Sequence, residues 1–192
     1  DGTVNVGVGV LSTFHRWKAL NTSVLMDAFV AGAPAQWGVR SDTATSEPKG
    51  GKLPMSFSVG PLVGPGWVLI GDAAGAINPF NGEGIAYAYE TGRIAARHVH
   101  NALVRDDPSL LHGYPRELQD EYGLYYRVAR AFVSAIGRPP VMRTLVRTGI
   151  YSRPLMEWVL RVMANLLRPE ERGIGERAYR LVERAVEIGP EP

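Results

Sequence analysis

One stretch limits what this chain can fold into more than any other: Gly66-Trp67-Val68-Leu69-Ile70-Gly71-Asp72-Ala73-Ala74-Gly75, continued by Ala76-Ile77-Asn78-Pro79-Phe80-Asn81-Gly82-Glu83-Gly84-Ile85. Trp67-Val68-Leu69-Ile70 is a short apolar run of the kind that forms a fully buried strand. Gly71 permits a sharp backbone turn and close approach of another group. Asp72 then falls at the strand's carboxyl end, where open α/β sheets place ligands. Asn81 is positioned to cap a helix whose first turn contains Gly82 and Gly84, so its N–H groups would be almost bare. A carboxylate for hydroxyls and a helix end for an anion or carbonyl together predict a nucleotide or flavin site.

The rest of the chain supports a globular protein with a helical second half. Its 192 residues are 45% hydrophobic and 21% charged, sufficient for a sizeable core. The absence of cysteine excludes disulfide staples, thiolate metal sites and cysteine nucleophiles. No apolar run reaches the length of a bilayer span, and no signal-peptide pattern opens the chain. Asp1-Gly2-Thr3-Val4, without an initiator Met, drops directly into an expected strand, as a fragment of a longer protein would.

Thr3–Val10 alternates apolar with small or polar residues and predicts a strand with one buried face. A helix is expected from Ser12 or Thr13 to about Val30, with Trp17, Leu20, Val24, Leu25 and Ala28 on one face. Residues 41–51 are polar and turn-rich, hence an exposed loop. Leu53–Val59 alternates again and reads as a short strand, with Leu62-Val63 between turns. Helices follow at about 82–104, 109–136, 140–149, 154–167 and 175–188, separated by Asp106-Asp107-Pro108 and Gly137-Arg138-Pro139-Pro140. The expected fold class is therefore α+β. Residues 1–104 form a partial, flavin-facing domain of a few strands and a long helix, and residues 105–192 a mostly helical C-terminal part. A sheet lacking some of its strands would keep an open edge able to pair with another chain, so self-association is expected there.

Several patterns imitate function. Gly7-Val8-Gly9-Val10-Leu11-Ser12 resembles a dinucleotide fingerprint, but its third position is Ser and Asp27 falls inside a helical pattern. A glycine-containing strand packed closely against a neighbour is the better reading. His98 and His100, two apart on a helix, face different directions, and His15 and His112 have no partner at ligand spacing, so no metal site is expected. No Gly-x-Ser-x-Gly elbow is present. Glu83 is an acid in a helix's first turn, favourable with the macrodipole. The net charge of +2 is uneven: residues 1–136 hold 11 Lys+Arg and 12 Asp+Glu, whereas 137–192 hold 10 Arg and 7 Glu. That arginine-only tail has two readings: solvated faces of helices whose apolar sides pack in a core, or a surface resting on anionic headgroups. In the second, Leu155, Met156, Val159, Leu160, Met163, Leu166 and Leu167 form the apolar face. The small charge excess, with no aromatic–basic interleaving, does not predict nucleic-acid binding.

With these residues in view, the chain resembles the second half of the geranylgeranyl reductase family, flavoproteins related in fold to aromatic hydroxylases of the para-hydroxybenzoate hydroxylase type. The resemblance rests on Gly51-Lys52-Leu53-Pro54 to Gly60-Pro61, on the Gly66–Gly75 and Asn78–Ile85 stretches, and on Gly92-Arg93-Ile94-Ala95-Ala96. It covers residues 1–104 well and the helical remainder weakly. It implies FAD as cofactor, with Gly71, Asp72, Ala73, Pro79, Gly82, Gly84 and Ile85 at the cofactor site. Asp72 would accept from the ribityl hydroxyls, Pro79 would lie beside the ring system, and Gly82–Ile85 would donate to its pyrimidine end. The implied activity is saturation of an isoprenoid double bond in a prenylated lipid or quinone such as menaquinone, by hydride from the reduced flavin. No catalytic residue is assigned; Tyr87, His15 and Glu83 are the candidates for a proton donor. The family's N-terminal Gly-x-Gly-x-x-Gly and its aromatic-rich substrate motif are absent, so the isolated chain is expected to be inactive. The implied location is cytoplasmic, peripheral at the membrane's inner face. An FAD-dependent monooxygenase or halogenase is the nearest alternative. A non-enzymatic helical fragment that binds membranes or partners is the alternative from another class.

Overall fold

The computed structural model describes residues 2–14, 16–166 and 173–188. His15 and Leu167, both named above, lie outside them. The chain divides into two compact units, Asp1–Lys52 and Leu53–Pro192.

In the first unit, α1 runs Thr22–Ala31. It starts later than the periodicity predicts because Asn21, not Ser12 or Thr13, supplies the cap. The Asn21 Oδ1 accepts from the Ser23 and Val24 amides at 3.0 and 3.3 Å. Gly32 ends the helix. The expected strand at Thr3–Val10 does not form. Those residues form no regular element and are largely exposed, since a strand needs a ladder partner and no described strand lies against them. A Cβ added at Gly7 or Gly9 would meet nothing within 4 Å, so the close packing expected there is absent too. The apolar stripe of α1 is also unburied, with Val24 60% exposed.

The second unit is mostly helical, with one small hairpin. β1 (Val63–Gly64) pairs antiparallel with β2 (Trp67–Val68) in the register Val63 to Val68 and Gly64 to Trp67. The turn between them is Pro65-Gly66, with Gly66 at φ 77°, as a type II turn requires. The predicted buried strand Trp67–Ile70 is thus only an arm of a hairpin. Trp67 is 42% and Ile70 44% exposed. The Leu69 amide is satisfied by the Leu62 carbonyl at 2.8 Å, and the Leu69 carbonyl by the Tyr114 hydroxyl at 2.8 Å. Leu53–Val59 is a turn, not a strand: Ser56 and Phe57 both take positive φ. Their amides donate to the Ile77 and Gly75 carbonyls, which ties this turn to the Gly71–Ile77 segment.

Among the described residues the unit also holds the α-helices α2 (Ile85–Val104), α3 (Gly113–Ile136), α4 (Pro139–Gly149), α5 (Arg153–Met163) and α6 (Ile174–Ile188). Prolines in the first turns of α4 and α5 fit because their missing N–H groups have no intrahelical partner there anyway. Asp107 caps the short 3-10 turn Pro108–His112 that leads into α3. The core lies mainly between α2 and α3. One part gathers Ile94, Ala95, Leu111, Tyr114 and Leu118 against Val63. The other joins Ala74, Phe80 and Tyr87 to Tyr125, Tyr126 and Val162. No described helix is long and apolar enough to cross a membrane.

Candidate functional site

The site is built on a pinned turn. Gly71 sits at φ 54°, a left-handed conformation that disfavours any side chain, and a Cβ there would come 3.0 Å from the Ala88 Cβ. Its buried amide donates to Thr91 Oγ1 at 3.0 Å, and that hydroxyl donates to the Tyr87 carbonyl at 2.7 Å. Thr91 is fully buried in α2. The threonine therefore clamps the turn to the helix one residue before Asp72. Gly71–Ala74 closes as a 3-10 turn, ending in Gly75 at φ 67°.

Asn78 holds the second half of the site. It is 1% exposed, and almost all its bonding capacity is used. Nδ2 donates to the Tyr125 hydroxyl at 2.9 Å, to the Met163 carbonyl at 3.0 Å, and toward the Tyr87 hydroxyl at 3.5 Å. Oδ1 accepts from the Phe80 amide at 2.9 Å. Its backbone accepts from Gly82 and donates to the Glu83 carbonyl, which closes residues 78–83 into a loop. Around it stand Phe80, Tyr87, Tyr122, Tyr125 and Tyr126, with ring centroids 5.5 to 6.1 Å apart where they touch. Burial pushes the Tyr125 phenol up to about 12 and holds Tyr87 and Tyr126 well above the ordinary tyrosine value. These hydroxyls stay protonated at neutral pH: that of Tyr125 donates to the Val162 and Met163 carbonyls at 3.2 and 3.1 Å, that of Tyr87 accepts from Asn78, and that of Tyr126 is buried without a hydrogen-bond partner. Tyr87, a sequence candidate for proton donor, is committed to this network.

Between the two halves opens a cleft of about 460 Å³. Asp72, Gly82, Gly84 and Ile85 line it, with Leu53, Ile77 and Ala88 as apolar walls. The Asp72 carboxylate is exposed and points across to the start of α2. A Cβ on Gly84 would come 2.9 Å from Asp72 Oδ1, so only glycine leaves that approach open. Of the residues expected at the site, those four meet in one cleft. Gly71 supports it from the Thr91 clamp, Pro79 is buried in the loop, and Ala73 is exposed outside the lining.

The helix start differs from expectation. α2 begins at Ile85, and Asn81 caps the loop before it: Asn81 Oδ1 accepts from the Glu83 amide at 2.9 Å. Glu83 Oε1 then accepts from the Ala86 amide at 2.7 Å. The helix end is thus partly occupied by the chain's own carboxylate, which gives Glu83 the capping role its position implies.

Chemically, the cleft joins an acceptor for hydroxyl groups, a backbone stripped of side chains at Gly82 and Gly84, and an apolar wall. That set can hold a ligand that offers hydroxyl donors at one end and an apolar face at the other. Thr91 and Tyr125 were missed in the sequence. The one available signal was a short polar residue on the packed face of an otherwise Ala- and Ile-lined helix. His98 bonds Glu117 at 2.8 Å, and Arg97 also pairs with Glu117, so that corner serves to join α2 to α3.

Comparison with known proteins places the chain in a family. The chain is 36% identical over 183 residues to the menaquinone reductase of Mycolicibacterium smegmatis, covering 94% of this chain and 43% of that protein. It is also 36% identical over 183 residues to the menaquinone reductase of Mycobacterium tuberculosis, with 94% and 42% coverage. A digeranylgeranylglycerophospholipid reductase of Thermoplasma volcanium is 30% identical over 124 residues, 64% of this chain and 30% of that protein. The chain thus spans 43% or less of the length of these curated relatives. No family model and no solved structure matches. An alignment reaching across 94% of the chain necessarily includes the Gly71–Ile85 cleft. The chain belongs to the geranylgeranyl reductase-like family.

Proposed function

We propose that the protein carrying this chain is an FAD-dependent reductase that saturates an isoprenoid double bond in the tail of a prenylated quinone or lipid. The observation that carries this reading is the cleft itself, in a chain 36% identical to menaquinone reductases along nearly its whole length. In this reading Asp72 accepts hydrogen bonds from ribityl hydroxyls. Gly82 and Gly84 let the backbone approach the flavin's edge, and Leu53, Ile77 and Ile85 keep the ring's surroundings apolar. When bound, FAD supplies the hydride. The chain's own contribution is orientation and exclusion of water. The Thr91 clamp and the Asn78 hub hold the two halves of the cleft at fixed separation, as a hydride-transfer geometry demands.

A second feature supports an apolar substrate. A cavity of about 170 Å³ opens beside Phe80, the residue that follows Pro79 in the site loop. Phe132, Trp158, Val162 and Met163 wall it from α3 and α5. An unsaturated hydrocarbon needs such a surface, since it offers nothing to hydrogen-bond.

The test uses the full-length protein. Purified protein should be yellow. After reduction of its flavin, anaerobic mixing with menaquinone should restore the oxidised spectrum and, once any quinol has been reoxidised to the quinone in air, give a product heavier by two hydrogens for each tail double bond saturated. Asp72→Ala should lower flavin occupancy without unfolding the protein. Unchanged occupancy would remove Asp72 from the cofactor site, and reoxidation without a heavier product would remove the proposed reaction.

A further inference from the structure

We propose that the surface formed by α4 and the turn after it docks on an anionic lipid surface. Residues 122–156 contain no Asp or Glu, and three arginines, Arg138, Arg143 and Arg147, stand on or beside α4, whereas Arg130 donates to the Ser56 carbonyl and Arg153 pairs with Glu157. Within that stretch α4 sorts its side chains into rows. Met142, Val146 and Ile150 follow each other at four-residue steps and are 40%, 46% and 61% exposed. Arg143 and Arg147 form the adjoining row, so cations flank an apolar strip along one side of the helix. Leu145 is 42% exposed and Tyr151, in the turn, 87%. Only Gly149 of α4 is buried, so this apolar strip is not used by the core.

Three details favour lipid over another occupant. The hydroxyls of Thr144 and Thr148 donate to the Pro140 and Thr144 carbonyls at 3.0 and 2.9 Å, so the polar groups of the helix are satisfied internally and lose little on leaving water. Among the described residues, no ion pair involves Arg138, Arg143 or Arg147, which leaves their charge for an external anion. A second copy of this chain seated on the same face by two-fold symmetry would oppose arginine to arginine. With 11 residues, α4 is far shorter than the roughly 20 needed to span a bilayer, so it lies in the headgroup plane. The face expected from sequence, Leu155 to Leu167, is instead partly spent on packing: Val159 and Met163 line the apolar cavity.

This inference is independent of the reductase reading, because binding is measured without turnover. The full-length protein is sedimented with vesicles of phosphatidylcholine alone and of phosphatidylcholine with phosphatidylglycerol, with circular dichroism to confirm folding. The expected result is binding to the anionic vesicles only, lost in about 1 M salt. Arg143→Gln with Arg147→Gln should weaken partitioning about 30-fold, and Val146→Ser with Ile150→Ser should weaken it also. Should the serine pair fail to fold, the glutamine pair decides. Equal binding by wild type and the arginine variant, or no binding to anionic vesicles, overturns the proposal. So does a wild-type oligomer in size-exclusion chromatography that the same substitutions dissociate.

Discussion

Replacing Asn78 with alanine tests the account of the site most directly, because one side chain joins the loop, the aromatic cluster and α5. The Phe80 amide loses its Oδ1 acceptor at 2.9 Å and becomes a buried donor without a partner, which costs about 1–3 kcal/mol. The Met163 carbonyl loses Nδ2 but keeps the Tyr125 hydroxyl at 3.1 Å, so that side of the network forfeits only about 1 kcal/mol of net hydrogen bonding. The bonds made by the Asn78 backbone to Gly82 and Glu83 do not depend on the side chain. The sum is a loss of about 2–4 kcal/mol, or a fall in Tm of roughly 5–15 °C for a chain of this size. Thermal and urea unfolding of the purified chain measure it, with Asn81→Ala as the comparison. Asn81 is exposed; its side chain accepts from the Glu83 amide at 2.9 Å and donates to the Met163 carbonyl at 3.3 Å, and its removal from this solvated position should cost about 1 kcal/mol. If Asn78→Ala proves no more destabilising than Asn81→Ala, the buried network is not what holds the loop.

Two further outcomes follow from the same geometry. Thr91→Val keeps the shape but removes the acceptor of the buried Gly71 amide, and should lower stability by about 1–3 kcal/mol, whereas Thr91→Ser, which keeps Oγ, should recover most of it; urea midpoints at constant slope report both. Alkaline unfolding should be steep: free tyrosine titrates near about 10, whereas burial pushes Tyr114 and Tyr125 up to about 12. Above the lower value the unfolded chain has lost protons that the folded one retains, so stability is complete below it and falls as pH rises toward the higher. In a variant with the exposed Tyr89 and Tyr151 (78% and 87% exposed) replaced by phenylalanine, tyrosinate absorbance should accordingly appear together with loss of helical circular dichroism, and tyrosinate forming there while the helices persist would contradict the burial described.

The helical half was legible because its signals are local. Apolar stripes at three- and four-residue steps, prolines in first turns and the Gly137–Pro140 break depend only on neighbours along the chain, and α3 through α6 appear within a few residues of expectation. The strands were not. An alternating run such as Thr3–Val10 states a preference for extended backbone, but a strand exists only when another strand completes its hydrogen bonds. The Trp67–Ile70 run shows the same limit: its backbone is satisfied by Leu62 and by a tyrosine hydroxyl from α3.

By itself, then, the sequence determined the turn at Gly71, the glycine-led approach to α2 and the family to which the chain belongs, because glycine's conformational freedom and a carboxylate's chemistry travel with the residue. The tertiary structure alone decided that Asp72 faces Gly84 across a cleft, that Thr91 and Asn78 clamp its two sides, and that Glu83 fills part of the helix end. Those are contacts between residues whose meeting depends on how α2, α3 and α5 pack. Packing is settled by the shape and burial of many side chains at once, which no single stretch encodes.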